Sequence, residues 1–180
     1  MPKFSDCPPP ESHGRSFPVR RTPTGTPLSA VCLSENLVGT KTHYWGGRTT
    51  PCEDDRCEAC QHGIAWRWHG YFIARDTTMG LLFLYEFTAA AAEAFIEYRH
   101  QHGTLRGCEF KARRHNGQPN GQVLISCRPT DLDHRFLHAP PDTIEILSRL
   151  WNLRPTGIAY TPQEQKGGEP SEPLTPPGAA

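Results

Sequence analysis

Hydrophobic positions concentrate between residues 28 and 154 of the chain, and their period changes along that span. A weak two-residue alternation in "LSAVCLSENLVG" predicts a first strand with Val31 and Leu33 on one face. "WHGYFIAR" and "LLFLYEF" are rich in aromatic and β-branched residues and flank the short "DTTMG" turn, which predicts a hairpin. The rhythm then becomes helical. Thr88 caps "AAAAEAFIEYRHQH", Gly103 stops it, and Ala91, Phe95, Tyr98 and His102 form its stripe. Two more strand-like runs, "LRGCEFKARR" and "QVLISC", flank "HNGQPNG" with its Asn-Gly turn signals. A last helix, "TIEILSRLWNL", opens on a capping box of Asp142 and Glu145, with Ile144, Leu147 and Trp151 on one face, and ends at Arg154-Pro155.

The order is strand, polar cluster, strand, strand, helix, strand, strand, helix. It predicts a β-rich α+β fold: a five-stranded OB-like Greek-key barrel, with a loop inserted after the first strand and a helix between strands 3 and 4. A small α+β sheet with one inserted helix would give the same string.

Composition sets the borders of this unit. Residues 1–27 and 155–180 hold most of the 18 prolines and few large apolar residues. Such segments cannot bury enough surface to offset their ordering entropy, so both are expected to be disordered, leaving a domain at 28–154. No run of apolar residues is long enough for a membrane helix. The N-terminus shows no basic start followed by an apolar run, and the expectation is a cytoplasmic protein. In a reducing compartment seven cysteines are poor candidates for disulfides and better ones for metal ligands. Charge is balanced, 19 basic against 19 acidic residues, but segregated. Glu53, Asp54, Asp55 and Glu58 crowd the cysteine cluster, whereas "RGCEFKARR" is basic.

The cluster is "THYWGGRTTPCEDDRCEACQHG", residues 42–63. His43, Cys52, Cys57 and Cys60 stand as H-x8-C-x4-C-x2-C, the donor set of a tetrahedral structural zinc site. The C-x2-C step lets two thiolates of one tight turn grip one ion, and Gly46 and Gly47 let the backbone fold back. His62 and His69 are rival nitrogen ligands. Four protein ligands would close the coordination sphere, while a catalytic zinc keeps a position open. H-x-E with P-C-x2-C, H-E-x-x-H, G-x-S-x-G and the P-loop are all missing. The reading is a single structural Zn2+ and no enzyme.

In "THYWGGRTTPCEDDRCEAC", a histidine beside a tyrosine joins three later cysteines, and strands "WHGYFIAR" and "LLFLYEF" follow. Over about residues 30–100 this arrangement resembles the single-stranded-DNA-binding proteins of T-even phages, in which an OB fold carries a zinc subdomain. The resemblance implies a phage-like protein that binds single-stranded DNA, or RNA, in replication or recombination, alongside replication proteins and without membrane contact.

Such binding needs a basic groove and aromatic faces. The stacking candidates are Tyr44, Trp45, Trp68, Tyr71, Tyr85 and Phe110, with Trp45 the one expected to be exposed. The cationic candidates are Arg48, Arg67, Arg75, Arg106, Lys111, Arg113 and Arg114. Period two points Lys111 and Arg113 outward and Phe110 and Ala112 inward. Cys32, Cys108 and Cys127 are expected to pack as small apolar residues. His100, His102, His115, His134 and His138 show no ligand spacing and are expected at the surface. A function of another class fits the same chain: a small zinc-containing adaptor that binds protein through the cluster and the helix from Asp142 to Leu153.

Overall fold

A computed structural model describes residues 17–131, 137 and 139–153. Among these, eight strands form one mixed, open sheet, with one long helix on one face and a shorter one on the other. The strands are β1 Val19–Arg20, β2 Leu28–Cys32, β3 Val38–Trp45, β4 Arg48–Pro51, β5 Arg67–Asp76, β6 Leu82–Thr88, β7 Cys108–Arg114 and β8 Val123–Pro129. The helices are α1 Glu58–Gln61, α2 Ala89–His102 and α3 Thr143–Leu150. The spatial order is β1-β6-β5-β2-β7-β8, and β3 lies between β5 and β4.

The ten-residue β5 organises this arrangement. Its C-terminal half pairs with β2 and its N-terminal half with β3. So β2 and β3 form one long strand broken by the excursion Leu33–Leu37. Ser34 fastens that excursion, its hydroxyl accepting from the Ile73 amide at 2.9 Å. The chain returns through β6 and α2 to lay β7 beside β2, giving the order β7-β2-β5-β6, the 4-1-2-3 of a Greek key.

The α2 face of the sheet carries the larger core: Phe72, Phe83, Tyr85 and Phe87 from the strands, Phe95 and Tyr98 from the helix, and Phe110 from β7. Tyr85 and Phe110 have ring centroids 5.0 Å apart although β5 and β2 lie between their strands. Neighbouring strands are ~4.8 Å apart, so such contact across two of them requires a strongly curled sheet. The expected β-rich α+β fold is present as an open mixed sheet, and no strand pairing joins β8 to β1 or β6 among the described residues. On the other face Val31 and Leu33, together as expected, pack with Tyr71, Ile73, Leu84, Ile146 and Leu147.

Several boundaries differ from the sequence reading for identifiable reasons. Residues 17–27 are not a free arm. Val19 and Arg20 pair in parallel with Leu84 and Tyr85, because β6 would otherwise present an open edge. Arg20 also pairs with Asp76 at 2.6 Å, and Arg21 with Glu86 at 2.6 Å. Residues 1–16, 132–136, 138 and 154–180, with Cys7, His134, His138 and the expected helix stop at Arg154-Pro155, lie outside the described residues. In α2 the stripe holds at Ala91, Phe95 and Tyr98, but His102 is exposed and leans on the Tyr98 ring. Ala92 takes the fourth buried place. In α3 the Asp142 carboxylate caps the amides of Ile144 and Glu145 as read, but Ile146 is buried and Ile144 is 53% exposed. Glu145 turns outward to Arg149.

Gly70 lies where β5 passes under two rings. A Cβ there would sit 2.4 Å from Phe87 and 2.7 Å from Trp68. Gly70→Ala should therefore destabilise the protein by about 1–3 kcal/mol in a denaturant melt, the usual cost of overpacking. At the hairpin turn, amides of Met79 and Thr78 and the Arg20 guanidinium hold the Asp76 carboxyl below its usual 3.8. A depressed carboxylate contributes stability above its unfolded value that is lost as pH falls through the folded one. Wild-type denaturation midpoints should fall on acidification below about pH 4, and part of that fall should be missing in Asp76→Asn.

Candidate metal centre and adjoining cleft

Beyond the sheet, β3 and β4 continue as a two-stranded arm closed by Gly46 and Gly47, with φ of 57° and 80°. Left-handed geometry at both turn positions matches the twist of a tight hairpin and requires residues such as glycine. His43 faces Thr50 across the ladder, and Cys52, two residues on from Thr50, projects to the same side. The Cys52 amide donates to the Lys41 carbonyl at 2.9 Å, which fixes the end of β4. A short turn at Asp54–Arg56 leads to α1, a single helical turn with Cys57 at its N-cap. Gly63, at φ 70°, ends it, its amide donating to the Cys60 carbonyl. The segment expected as a plain loop is thus a hairpin followed by one helical turn. The tight helical turn draws Cys57 and Cys60 together.

These elements converge the four ligand atoms within 4.8 Å of one another. Cys60 Sγ lies 3.4 Å from His43 Nε2 and 3.6 Å from Cys52 Sγ. Zn–N and Zn–S bonds of about 2.05 and 2.3 Å in a tetrahedron place ligand atoms about 3.6–3.8 Å apart, so the set fits a tetrahedral ion with small adjustment. His43 is buried, and its Nδ1 is the one buried side-chain nitrogen or oxygen without a hydrogen-bond partner among the described residues. Its Nε2 meets the Cys60 thiol. The thiols also feel one another. Amides of Glu53 and Cys60 donate to Cys57 and hold its thiol below the usual range. The hydrogen bond to Cys52, with burial and the Cys57 thiol, pushes Cys60 up to about 11. Crowded thiolates repel one another, and a divalent cation among them relieves that repulsion.

Neither rival histidine joins the group. His62 stacks on Trp45, ring centroids 5.0 Å apart. His69 Nδ1 lies 2.5 Å from the Thr42 hydroxyl, and burial lowers its affinity for a second proton.

The expected nucleic-acid contacts divide. Tyr71 and Tyr85 are fully buried, a correction to their reading as stacking faces. Tyr71 donates to Glu86 and Tyr85 shares a hydrogen bond with Thr22, because a curled sheet turns both rings into its cores. Arg106 is corrected too: its guanidinium holds the carbonyls of Leu33 and Leu137. Trp45 is half-buried rather than exposed. Arg75 is exposed and its side chain reaches the Gly80 carbonyl. Lys111 and Arg113 face outward as expected, but they border a small hollow with Pro27 and Leu124, away from the arm. Phe110 is buried, and Trp68 packs against Phe87. Cys32 and Cys108 are core residues, with Cys127 against them. His100, His102 and His115 are exposed.

The residues that come together form a cleft of about 930 Å³ between the arm and the loop after β7. Its floor includes His69 and Phe87, with Thr49, Ile64 and Tyr44 on the arm side and Pro119–Gln122 opposite. Arg21, Arg67 and Arg114 line it against one carboxylate, Glu86. Tyr44 is 69% exposed, the most open large aromatic of the arm. Arg21 was beyond sequence reading because its segment looked unstructured. Trp66 was also missed; it is 52% exposed with the Lys41 ammonium 5.2 Å from its ring, and its place beside the cluster was the available signal. No protein family, curated protein or solved structure matches the chain.

Purified protein should take up about one zinc or cobalt ion per chain, and Cys57→Ser or Cys60→Ser should lose it. Elemental analysis and the visible spectrum of the cobalt form measure this. Stoichiometric, tightly held metal in Cys57→Ser would contradict the ligand set. His62→Ala should keep the ion.

Proposed function

We propose that the protein binds single-stranded nucleic acid, DNA in the first instance, in the cleft between the arm and the β7–β8 loop. A structural Zn2+ held by His43, Cys52, Cys57 and Cys60 would shape one wall. The observation that carries this reading is the lining itself. Three arginines and one carboxylate line the cleft beside an exposed tyrosine. Arg67 is exposed, Arg21 is braced by Glu86 and Thr49, and Arg114 by the Thr22 and Gly121 carbonyls. The lining is thus net cationic next to a stacking face, the pairing that single strands require.

The position of the cleft supports the same reading. With β2 and β3 counted as one bent strand, the order β6-β5-β2-β7-β8 suits an OB-type fold. In OB folds oligonucleotides lie over strands 2 and 3 between the 1–2 and 4–5 connections. Here those are β5, β6, the metal arm and the Arg114–Gln122 loop, the boundaries of this cleft. The ligand order shared with the T-even phage proteins points to the same class. The ion acts as scaffold, since four protein ligands leave it no open position for substrate.

Arg67→Ala should weaken binding of every oligonucleotide about equally and flatten the salt slope by roughly 0.7. Tyr44→Ala should cost on the order of 1–3 kcal/mol and leave that slope nearly unchanged. Fluorescence polarisation at two salt concentrations measures both. If no single strand binds tighter than ~100 μM at low salt, non-specific attraction accounts for all binding and the reading fails. The adaptor reading then takes its place, with Ile144, Leu150 and Leu153 exposed on and beyond α3 as its surface.

A further inference from the structure

A second cleft, of about 640 Å³, lies on the other side of the arm's base, toward α3. Four residues line both clefts: Arg21, Tyr44, Thr49 and Glu86. The two spaces therefore meet at a saddle. Arg21 braces it, donating to Glu86 and to the Thr49 hydroxyl at 2.6 Å each. The clefts differ in charge. In the second, Arg21, Arg48 and Arg56 are balanced by Glu53, Glu58 and Glu86, so it has no net attraction for phosphate. Its remaining character is aromatic and apolar, from Trp45, Trp151, Leu150 and Leu153. Trp45 has one ring face covered by His62 and stays half-buried beside the cleft, and Trp151 meets Tyr71 edge-on.

We infer that one strand crosses the saddle at Tyr44, with its phosphates held in the arginine-lined cleft and its following bases received in the second. This rests on the function proposed above and assigns the second cleft to bases, with Trp45 as a stacking face. Stacking on an indole is tolerant of base identity, so this half favours length over sequence. Because the second cleft is neutral, affinity gained there releases few counterions. Length should raise affinity without steepening its salt dependence.

The test compares oligothymidylates of about 4 and about 12 nucleotides, within the span one such domain covers, on the zinc-loaded full chain at two salt concentrations. Trp45→Ala should weaken the longer strand about 5- to 150-fold and leave the shorter one unchanged. Arg67→Ala should weaken both. Metal content is followed throughout. If Trp45→Ala sheds its ion, Trp45→Phe and Trp45→Leu replace it: phenylalanine keeps a stacking face and should retain the longer strand, and leucine should lose it. Equal effects on both lengths, or none on the longer, overturn the second subsite while the first cleft's function stands. A salt slope that grows by roughly 0.7 for each added phosphate overturns it as well. No binding at either length overturns the nucleic-acid reading itself.

Discussion

The contacts around Phe72 hold the rest of the structure in place. This ring, in the middle of β5, meets Phe95 at 4.9 Å, Phe87 at 5.1 Å, and Tyr85 and Phe110 at 5.5 Å each. Aromatic rings bury large areas and gain about 0.5–1.5 kcal/mol per well-oriented pair beyond that burial. One residue thereby ties β6, β7 and α2 to the central strand. A flat sheet could not make these contacts, so the cluster and the curl imply each other. The curl in turn carries the β7–β8 loop toward the arm.

The arm inherits its position from the same strand. β3 is the continuation of β2 and pairs with β5, so His43 stands on a ladder rather than on a tether. Tyr44, the next residue, faces the opposite side of that ladder. The side of Tyr44 and Thr49 opens on both clefts, while the side of His43 carries the ligand group and, at Trp45 and Thr50, borders the second cleft.

Much of this was legible in the chain. The hairpin of β5 and β6, the helix from Thr88 to Gly103, the Asp142 cap and the four-residue donor set follow from local pattern and spacing, and the structure keeps them. What could not be read was set by contacts distant in sequence. Tyr71 and Tyr85 alternate like surface-facing strand residues, and only a sheet covered on both faces buries them. Arg106 looked like a free cation until two loop carbonyls claimed it. Val19–Arg20 sits in a proline-rich stretch whose composition argues against order, and it is ordered because the edge of β6 accepts it. The arginines of the cleft come from three distant places in the chain, so although Arg67 and Arg114 stood among the cationic candidates, no motif joined them with Arg21 into one lining.

All four donor groups of the arm lie between His43 and Cys60, and each half of the hairpin is built from neighbours in the chain. Loop closure over so short a separation is entropically inexpensive and fast. During synthesis the arm is complete well before β7 and β8 leave the ribosome. The group that could hold a metal is thus assembled from local contacts before the main core closes, and the ribbon that carries it is a ready partner for β5.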